Sequence, residues 1–288
     1  MPPTHHRYAV YFAPNPGSLG WLAGSHWLGR CAALLQPLQQ LAIDGVAADD
    51  LHRLTAAPRR YGWHATLKAP FALAPGTDWI ALHQAVQSVA RGLQPFVLPP
   101  LQVQRIDDFL ALVPPALHPA NAQIQETAAT CVTALQPLAA PLSDADLARR
   151  RSAGLTARQD ALLQQWGYPF VLDEFRFHMS LTGSLAQVDK QTQALVFEAA
   201  QEFFSDLPML SSTAWPCSQS PYPAPTLCCW ITWRWAHDRG PAGLLHGPLG
   251  RGQRQPAGLV AGTPAHPVPR ALGAAHHQPL RHAGRRSP

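Results

Sequence analysis

Several features that would define a protein class are missing from this sequence of 288 residues. No run approaches the ~18–20 consecutive apolar residues of a membrane span, and residues 1–12 lack the apolar stretch and cleavage site of a secretory signal. Five cysteines, two of them adjacent, form neither a CxxC motif nor a disulfide framework, and the histidines fit no zinc spacing. These absences predict a cytoplasmic protein with no membrane partner, no metal and no cofactor.

Positive charge is concentrated at one end of the chain. Residues 215–288 contain eight arginines and one acidic residue, a net charge of +7, whereas residues 1–214 hold 14 basic and 16 acidic residues. A pI near 9.2 would ordinarily suggest a nucleic-acid partner, but the first 214 residues are slightly acidic. The charge distribution therefore argues against nucleic-acid binding and divides the chain into a body, residues 1–214, and a tail, residues 215–288.

The tail has no period of two or 3.6 residues. It holds twelve prolines, four of the nine tryptophans and three of the five cysteines. This composition predicts a largely irregular segment, with three interpretations: a disordered extension, an ordered Trp-rich appendage, or translation in the wrong reading frame.

The third interpretation follows from the genetic code. Trp and Cys codons begin with TG, so a shift of one base gives codons ending in TG, which encode only Leu, Val or Met. Residues 215–235 can then decode as a strand–turn–strand that would close the body. A further frame can decode a string, GPSGAGKDS, that resembles a phosphate-binding P-loop.

The body alternates strand-like and helix-like segments, which predicts an α+β fold. Aromatic and β-branched residues indicate strands at 7–14, 61–73 and 175–185, with two more within 95–115. Helical periodicity covers 31–54 (broken by prolines), 78–93, 121–138 and 188–204. Ser143 and Thr156 are predicted to start two further helices, which Gly154 and Gly167 end.

A short motif occurs twice, on two of the predicted strands: His64-Ala65-Thr66-Leu67 and His178-Met179-Ser180-Leu181. Since side chains alternate between the faces of a strand, each copy should present a histidine, a hydroxyl group and a cation on one face. The first face carries His64, Thr66 and Lys68, and the second carries Arg176, His178 and Ser180. Apolar residues occupy the opposite face of each strand.

These residue types suit cleavage of a phosphodiester without a metal. One neutral imidazole can accept a proton from the attacking oxygen while a protonated one donates to the leaving oxygen. Hydroxyl groups and cations can stabilise charge on the non-bridging oxygens. We therefore expect His64 and His178 to be catalytic, and Thr66, Ser180, Lys68 and Arg176 to bind the phosphate.

The body resembles the two-histidine (2H) phosphoesterase superfamily, and more narrowly the DUF1045 proteins of bacterial phosphonate-utilisation operons. The segments that carry the resemblance include RYAVYFAP, YGWHATLKAPFAL and DEFRFHMSLTG, and it spans residues 7–214. It implies a two-lobed, pseudo-symmetric α+β fold in which each lobe contributes one HxT/S strand to a central cleft. The family's histidines correspond to His64 and His178, and its hydroxyl residues to Thr66 and Ser180.

The resemblance implies a metal-independent cyclic phosphodiesterase, a phosphoric diester hydrolase, of phosphonate catabolism. The out-of-frame string is similar to the start of ribose 1,5-bisphosphate phosphokinase, which suggests 5-phosphoribosyl 1,2-cyclic phosphate as the substrate and ribose 1,5-bisphosphate as the product. The expected partner is thus a small phosphorylated sugar. The alternatives are an RNA or nucleotide 2′,3′-cyclic phosphodiesterase and a non-catalytic phosphoribosyl-binding regulator.

Other residues allow two interpretations each. Lys68 and Arg176 could be strand-edge cations instead of phosphate ligands, and Tyr11 could line the cleft or pack in the core. The run Arg149-Arg150-Arg151 is typical of a solvated helix face, although a phosphate-rich ligand could use it.

Overall fold

The computed structural model describes residues 7–152, 154–207 and 210–212. The predicted tail, residues 215–288, lies outside these residues. The helices are α1 (Leu19–Leu28), α2 (Ala48–Leu54), α3 (Ala56–Arg59), α4 (Trp79–Gly92), α5 (Asn121–Leu135), α6 (Asp144–Arg151), α7 (Ala157–Trp166) and α8 (Lys190–Phe204). The strands are β1 (Arg7–Phe12), β2 (Arg30–Cys31), β3 (Gln36–Pro37), β4 (Ala65–Ala72), β5 (Phe96–Val97), β6 (Gln102–Ile106), β7 (Phe109–Val113), β8 (Met179–Ser180) and β9 (Ser211–Ser212).

The strands form small antiparallel sheets. β1 pairs with β4, β2 with β3, and β5 with β9, while β6, β7 and β8 form a three-stranded sheet in that order. Helices and strands alternate along the chain and pack on a shared core, which confirms the predicted α+β class. No helix among the described residues is long and apolar enough to span a bilayer.

Helix ends follow the capping residues in the sequence. The Ser143 side chain accepts a hydrogen bond from the backbone at the start of α6, and Thr156 forms a full capping box with Gln159 at the start of α7. Gly167 ends α7 with a φ of 75°, a left-handed conformation that costs glycine little. The predicted starts of both helices are therefore confirmed.

Large aromatic side chains hold the core around α1 and α8. Trp63 stacks on Phe204 with ring centroids 5.8 Å apart, and both are buried. Trp27 is fully buried, and its Nε1 donates to the carbonyl oxygen of Leu181, 2.9 Å away. This bond ties α1 to the second copy of the histidine motif.

The predicted helix over residues 31–43 is wrong. Gly29 ends α1 in a left-handed conformation, and the chain then reverses through β2 and β3. Leu35 has a φ of 57°, which no right-handed helix contains, and Pro37 lacks the N–H that a continuing helix would need. The apolar residues of this segment do not form one face of a helix, because the chain reverses at Leu34 and Leu35, which are exposed.

The predicted strand over residues 175–185 is much shorter in the structure, because only Met179 and Ser180 pair with β7. Beyond them the carbonyl oxygen of Leu110 accepts from the backbone N–H groups of both Leu181 and Thr182. The Thr182 hydroxyl accepts from the Leu110 N–H at 3.0 Å, so a side chain replaces the next ladder bond and ends the strand.

Candidate functional site

The two copies of the histidine motif occupy equivalent positions in their elements. His64 immediately precedes β4 and His178 immediately precedes β8, and each hydroxyl residue is the second residue of its strand. The predicted alternation is also present: Phe175, Phe177, Met179 and Leu181 are buried, while the residues between them are at least partly accessible. In the first copy, Trp63, Ala65 and Leu67 are buried in the same way.

A cavity of about 590 Å³ lies where the two copies meet. It is lined by Tyr11, His64, Thr66 and Ser180, four of the residues predicted for the site. His178 lies next to it, with its ring centroid 5.7 Å from that of Phe109, which lines the cavity. The volume is within the range of small-molecule sites, about 300–1,000 Å³.

Both imidazoles are anchored by the main chain. Nδ1 of His64 lies 2.8 Å from the carbonyl oxygen of Gly62, and Nδ1 of His178 lies 2.8 Å from that of Arg176. A carbonyl oxygen only accepts, so each Nδ1 carries the proton and donates it. In the neutral form of either ring, Nε2 is therefore a hydrogen-bond acceptor.

The anchor for His64 requires glycine at position 62. Gly62 has a φ of +85°, and a Cβ added there would lie 2.4 Å from the Cβ of Ala32. Any other residue would strain the backbone and displace the carbonyl that holds His64. The second copy has Arg176 at the equivalent position, so the requirement for glycine applies to the anchor of His64 and not to that of His178.

Aromatic rings enclose His64. The centroid of its ring lies 4.0 Å from that of Tyr11 and 6.4 Å from that of Tyr61. Burial is the largest influence on its pKa and lowers it to about 4, and the nearby His178 also lowers it, against the opposing effect of the Gly62 carbonyl. His64 is therefore neutral near pH 7 and offers Nε2 as an acceptor.

Lys68 does not share the cavity of His64. β4 pairs with β1 through an irregular register, in which Val10 pairs with Lys68 but Tyr11 pairs with Thr66. The extra residue on β4 breaks the alternation of side chains. Lys68 is therefore buried in the interior, as Leu67 is, and does not share the cavity with Thr66.

There Lys68 lines a smaller cavity of about 60 Å³, which shares Arg7 and Pro70 with the cavity of His64, and its Nζ donates to Oε1 of Gln136 at 3.0 Å. Burial lowers the pKa of Lys68 to about 8. The predicted grouping of Lys68 with His64 and Thr66 is therefore corrected.

Arg176 is also directed elsewhere. Its side chain lines a different cavity, together with Arg105 and Asn121, and it is exposed. Residues 175–178 precede the short strand β8, so ladder geometry does not fix the direction of Arg176. The carbonyl oxygen of Arg176 accepts a hydrogen bond from His178, but Arg176 is not among the residues that line the cavity of His64.

Three arginines that were not assigned to the site line this cavity: Arg7, Arg149 and Arg150. Thr182 and Ser184 line it as well. The signal for two of the arginines was the Arg149-Arg150-Arg151 run, whose more ordinary interpretation is a solvated helix face. Arg151 does behave that way, since its Nε pairs with Asp160 at 2.6 Å.

The described residues contain no cluster of three or more His, Cys, Asp or Glu side chains that could hold a metal ion. What they do bring together is hydrogen-bonding and cationic: a neutral imidazole, hydroxyl groups and guanidinium groups around one cavity. Such a set can bind a ligand that combines anionic groups with hydroxyl groups.

Comparisons with known proteins give a family and named relatives. The family described as "Protein of unknown function (DUF1045)" matches residues 66–212, about half of the chain. A ribose 1,5-bisphosphate phosphokinase PhnN from Janthinobacterium sp. (strain Marseille) is 43% identical over 199 residues, covering 69% of this chain and 43% of that protein. One from Laribacter hongkongensis (strain HLHK9) is 43% identical over 183 residues, covering 64% of this chain and 41% of that protein.

The chain thus spans less than half the length of the curated relatives it matches. No solved structure matches it. The family match and the relatives' names support the predicted link to phosphonate metabolism.

The predicted reaction is wrong. A cyclic phosphodiesterase is a phosphoric diester hydrolase, whereas the relatives at 43% identity are named as a phosphokinase, an enzyme class that transfers a phosphoryl group. The expected hydrolysis of 5-phosphoribosyl 1,2-cyclic phosphate to ribose 1,5-bisphosphate is overturned by those names, and so is the expected hydrolysis of an RNA or nucleotide cyclic phosphate.

Proposed function

The chain belongs to the DUF1045 family, and from that premise we propose that it forms the phosphorylated-ribose-binding part of a protein that acts as a ribose 1,5-bisphosphate phosphokinase. The observation that carries the proposal is the cavity of about 590 Å³ with His64, Thr66 and Ser180 in its wall and His178 beside it. The relatives' name supplies the ligand class, a phosphorylated ribose.

The chemistry of each side chain suits one part of such a ligand. The hydroxyl groups of Thr66 and Ser180 can donate to phosphate oxygens, and His178 can donate from Nε2 when it is protonated. His64 is neutral near pH 7 and its Nδ1 proton is used by Gly62, so its Nε2 suits a ribose hydroxyl, which can donate to it. We therefore assign His64 to the sugar and His178, Thr66 and Ser180 to a phosphate group.

The phosphoryl donor needs a site of its own, and we place it outside this part of the protein. A phosphate-binding P-loop ends in Gly-Lys-Ser/Thr, whereas the two lysines of this sequence, Lys68 and Lys190, follow a leucine and an aspartate. The relatives are more than twice as long as the segment they share with this chain. The proposal assigns donor binding to the part of those proteins that this chain does not match.

The equivalent placement of the two histidine motifs also supports a proposal about architecture. Each motif has a histidine before a strand, a carbonyl anchor two residues earlier and a hydroxyl residue within the strand. We propose that the two segments are the pseudo-symmetric halves of a two-lobed fold of the 2H type. The body is then one domain, residues 1–214.

Isothermal titration calorimetry on the full 288-residue chain tests the binding proposal. Ribose 1,5-bisphosphate should bind and unphosphorylated ribose should not. The double variant Thr66→Val, Ser180→Ala should lower the affinity for ribose 1,5-bisphosphate about tenfold or more, since each lost hydrogen bond to a charged group contributes about 1.5–3 kcal/mol.

A matched control is Thr133→Val, which removes a hydroxyl on the exposed side of α5 and should leave binding unchanged. Failure of wild-type protein to bind ribose 1,5-bisphosphate would contradict the proposed function. Unchanged affinity in the Thr66/Ser180 variant would instead contradict the assignment of these hydroxyls.

A further inference from the structure

Three guanidinium groups meet at the cavity that holds His64. Arg7 is the first residue of β1, and Arg149 and Arg150 lie in the last turn of α6. All three line this cavity, although Arg7 is more than 140 residues away in the sequence from the adjacent pair Arg149 and Arg150. Like charges repel at close range, so such a grouping requires a compensating negative charge.

The protein supplies one carboxylate for two of these arginines. Nη2 of Arg7 lies 3.2 Å from Oδ1 of Asp146, and Nη2 of Arg149 lies 2.5 Å from the same oxygen. These bonds, with one from Ser143, lower the pKa of Asp146 despite its partial burial, so this carboxylate is ionised near neutral pH. One negative charge therefore faces two positive charges before the third arginine is considered.

Arg150 is the third cation and has a weaker partner. Its guanidinium lies over the ring of Tyr168, 5.4 Å from the centroid. Its Nε is buried and has no hydrogen-bond partner among the described residues. A buried donor without a partner is costly, so this N–H is a group that a bound anion could satisfy.

Arg7 lies at a distance from the histidines. Arg7 and Tyr11 are four residues apart on β1, which corresponds to about 13 Å along a strand. Tyr11 packs on His64, and β1 pairs Tyr11 with Thr66. The arginines and the histidine motifs therefore serve two separate regions of one cavity.

We propose that Arg7, Arg149 and Arg150 form a second phosphate subsite, so that the cavity takes a sugar with two phosphate groups, one at the arginines and one at Thr66, Ser180 and His178. This inference rests on the proposed function, because it concerns the same cavity and ligand class. The guanidinium groups of Arg149 and Arg150 suit phosphate because their planar N–H donors match its oxygens. Asp146 holds Arg7 and Arg149 in position and leaves the excess charge for the ligand.

The competing explanation is structural: Arg150 could simply stack on Tyr168 and fix α6. Arg149 separates the two explanations because its side chain is 56% exposed and does not take part in that stack. Arg151 is a matched control, since it lies on the same helix, carries the same charge and pairs with Asp160. It is not among the residues that line the cavity.

Calorimetry with three ligands tests the subsite: ribose 1,5-bisphosphate, ribose 1-phosphate and ribose 5-phosphate. We expect Arg149→Gln to lower the affinity for the bisphosphate about tenfold and Arg149→Gln, Arg150→Gln about 10- to 100-fold, as for lost charge-assisted hydrogen bonds. At least one of the two monophosphates should bind with its phosphate at Thr66, Ser180 and His178. That monophosphate does not need the arginines, so it should keep its affinity in both variants. Arg151→Gln should bind all three ligands as the wild type does, and circular dichroism should show that the variants are folded.

The outcomes separate the two proposals. If the wild type binds none of the three ligands, the proposed function fails. If it binds ribose 1,5-bisphosphate but Arg149→Gln and the double variant bind it equally well, the second subsite is wrong while the proposed function stands. An equal loss for all three ligands in a folded double variant would also overturn it, because the arginines would then not distinguish one phosphate from the other.

Discussion

Tyr11 and His64 lie against each other across the β1–β4 pair, with ring centroids 4.0 Å apart. The phenol ring lies against one side of the imidazole and shields that side from water. Burial is the largest cause that lowers the pKa of His64, to about 4, and Tyr11 is one of the residues packed against the ring.

Stability should depend on pH through His64. The native imidazole takes up a proton near pH 4, whereas in the unfolded chain it does so near its reference value of about 6.5. Its contribution to the free energy of unfolding is complete above about pH 6.5 and is lost as the pH falls towards 4. One pKa unit corresponds to about 1.4 kcal/mol, so the loss of stability has an upper limit of about 3.5 kcal/mol, and it is smaller than this because the ring is partly accessible to water.

Urea unfolding at about pH 7.5 and pH 5 measures this effect. The wild type should lose more stability between these values than His64→Gln, whose side chain does not titrate. Other groups titrate in both proteins, so the difference between them isolates His64. Equal losses would contradict the burial of a neutral imidazole.

Lys68→Met should leave the affinity for ribose 1,5-bisphosphate within about twofold of the wild type. The Lys68 ammonium donates to Gln136 in a cavity other than that of His64, so its charge has no direct contact with the ligand. The substitution leaves Oε1 of Gln136 without this donor, so the variant should be less stable than the wild type and its folding is checked by circular dichroism. Calorimetry decides the question, and a loss of tenfold or more in a folded variant would restore Lys68 to the phosphate site.

Gly24→Ala should destabilise the fold strongly. A Cβ at this position of α1 would lie 2.1 Å from Cδ2 of Trp63, a buried ring that stacks on Phe204 and cannot withdraw. Overpacking of this kind costs about 1–3 kcal/mol. Gly92→Ala is the control, because a Cβ there meets nothing within 4 Å and alanine favours the helix by up to about 1 kcal/mol. Urea unfolding should rank Gly92→Ala at or above the wild type and Gly24→Ala well below it; the reverse order would show that Trp63 can move.

The reading frame of residues 215–288 remains a prediction that DNA sequencing can test. We propose that the frame changes near residues 212–216, since the Trp- and Cys-rich segment can decode as strand residues one base back. Relatives named as phosphokinases support it, because a further frame can decode a P-loop-like string. Sequencing of the coding DNA across Ser212–Pro216 should reveal an inserted or deleted base. A continuous frame in independent clones would reject the proposal.

The sequence predicted correctly those elements that are determined by residues close together in the chain. Thr156 and Gln159 start α7 because both halves of the capping box lie within one turn, and Gly167 ends it for the same reason. The paired histidine motif was also predictable, because alternation along a strand depends only on the residues themselves.

The features that the sequence did not predict depend on contacts between distant parts of the chain. Lys68 was misplaced because the irregular register of β1 and β4 depends on its partner Val10, 58 residues away in the sequence, and no local pattern reports it. Arg149 and Arg150 were ambiguous because a run of arginines looks the same on a solvated helix and on the wall of a cavity. The helical periodicity of residues 31–43 failed because Leu35 and Pro37 place that segment in a hairpin.

The carbonyl anchors of the two imidazoles have a consequence for how the site tolerates mutation. In many proteins a carboxylate side chain orients a functional histidine, and a single substitution can remove it. Here the acceptor belongs to the peptide backbone at residues 62 and 176, which every amino acid carries. A substitution at position 176 leaves that oxygen in place, so His178 keeps its hydrogen bond and its tautomer. At position 62 any side chain would strain the backbone and displace the carbonyl oxygen. A single substitution can therefore remove the anchor of His64 but not that of His178.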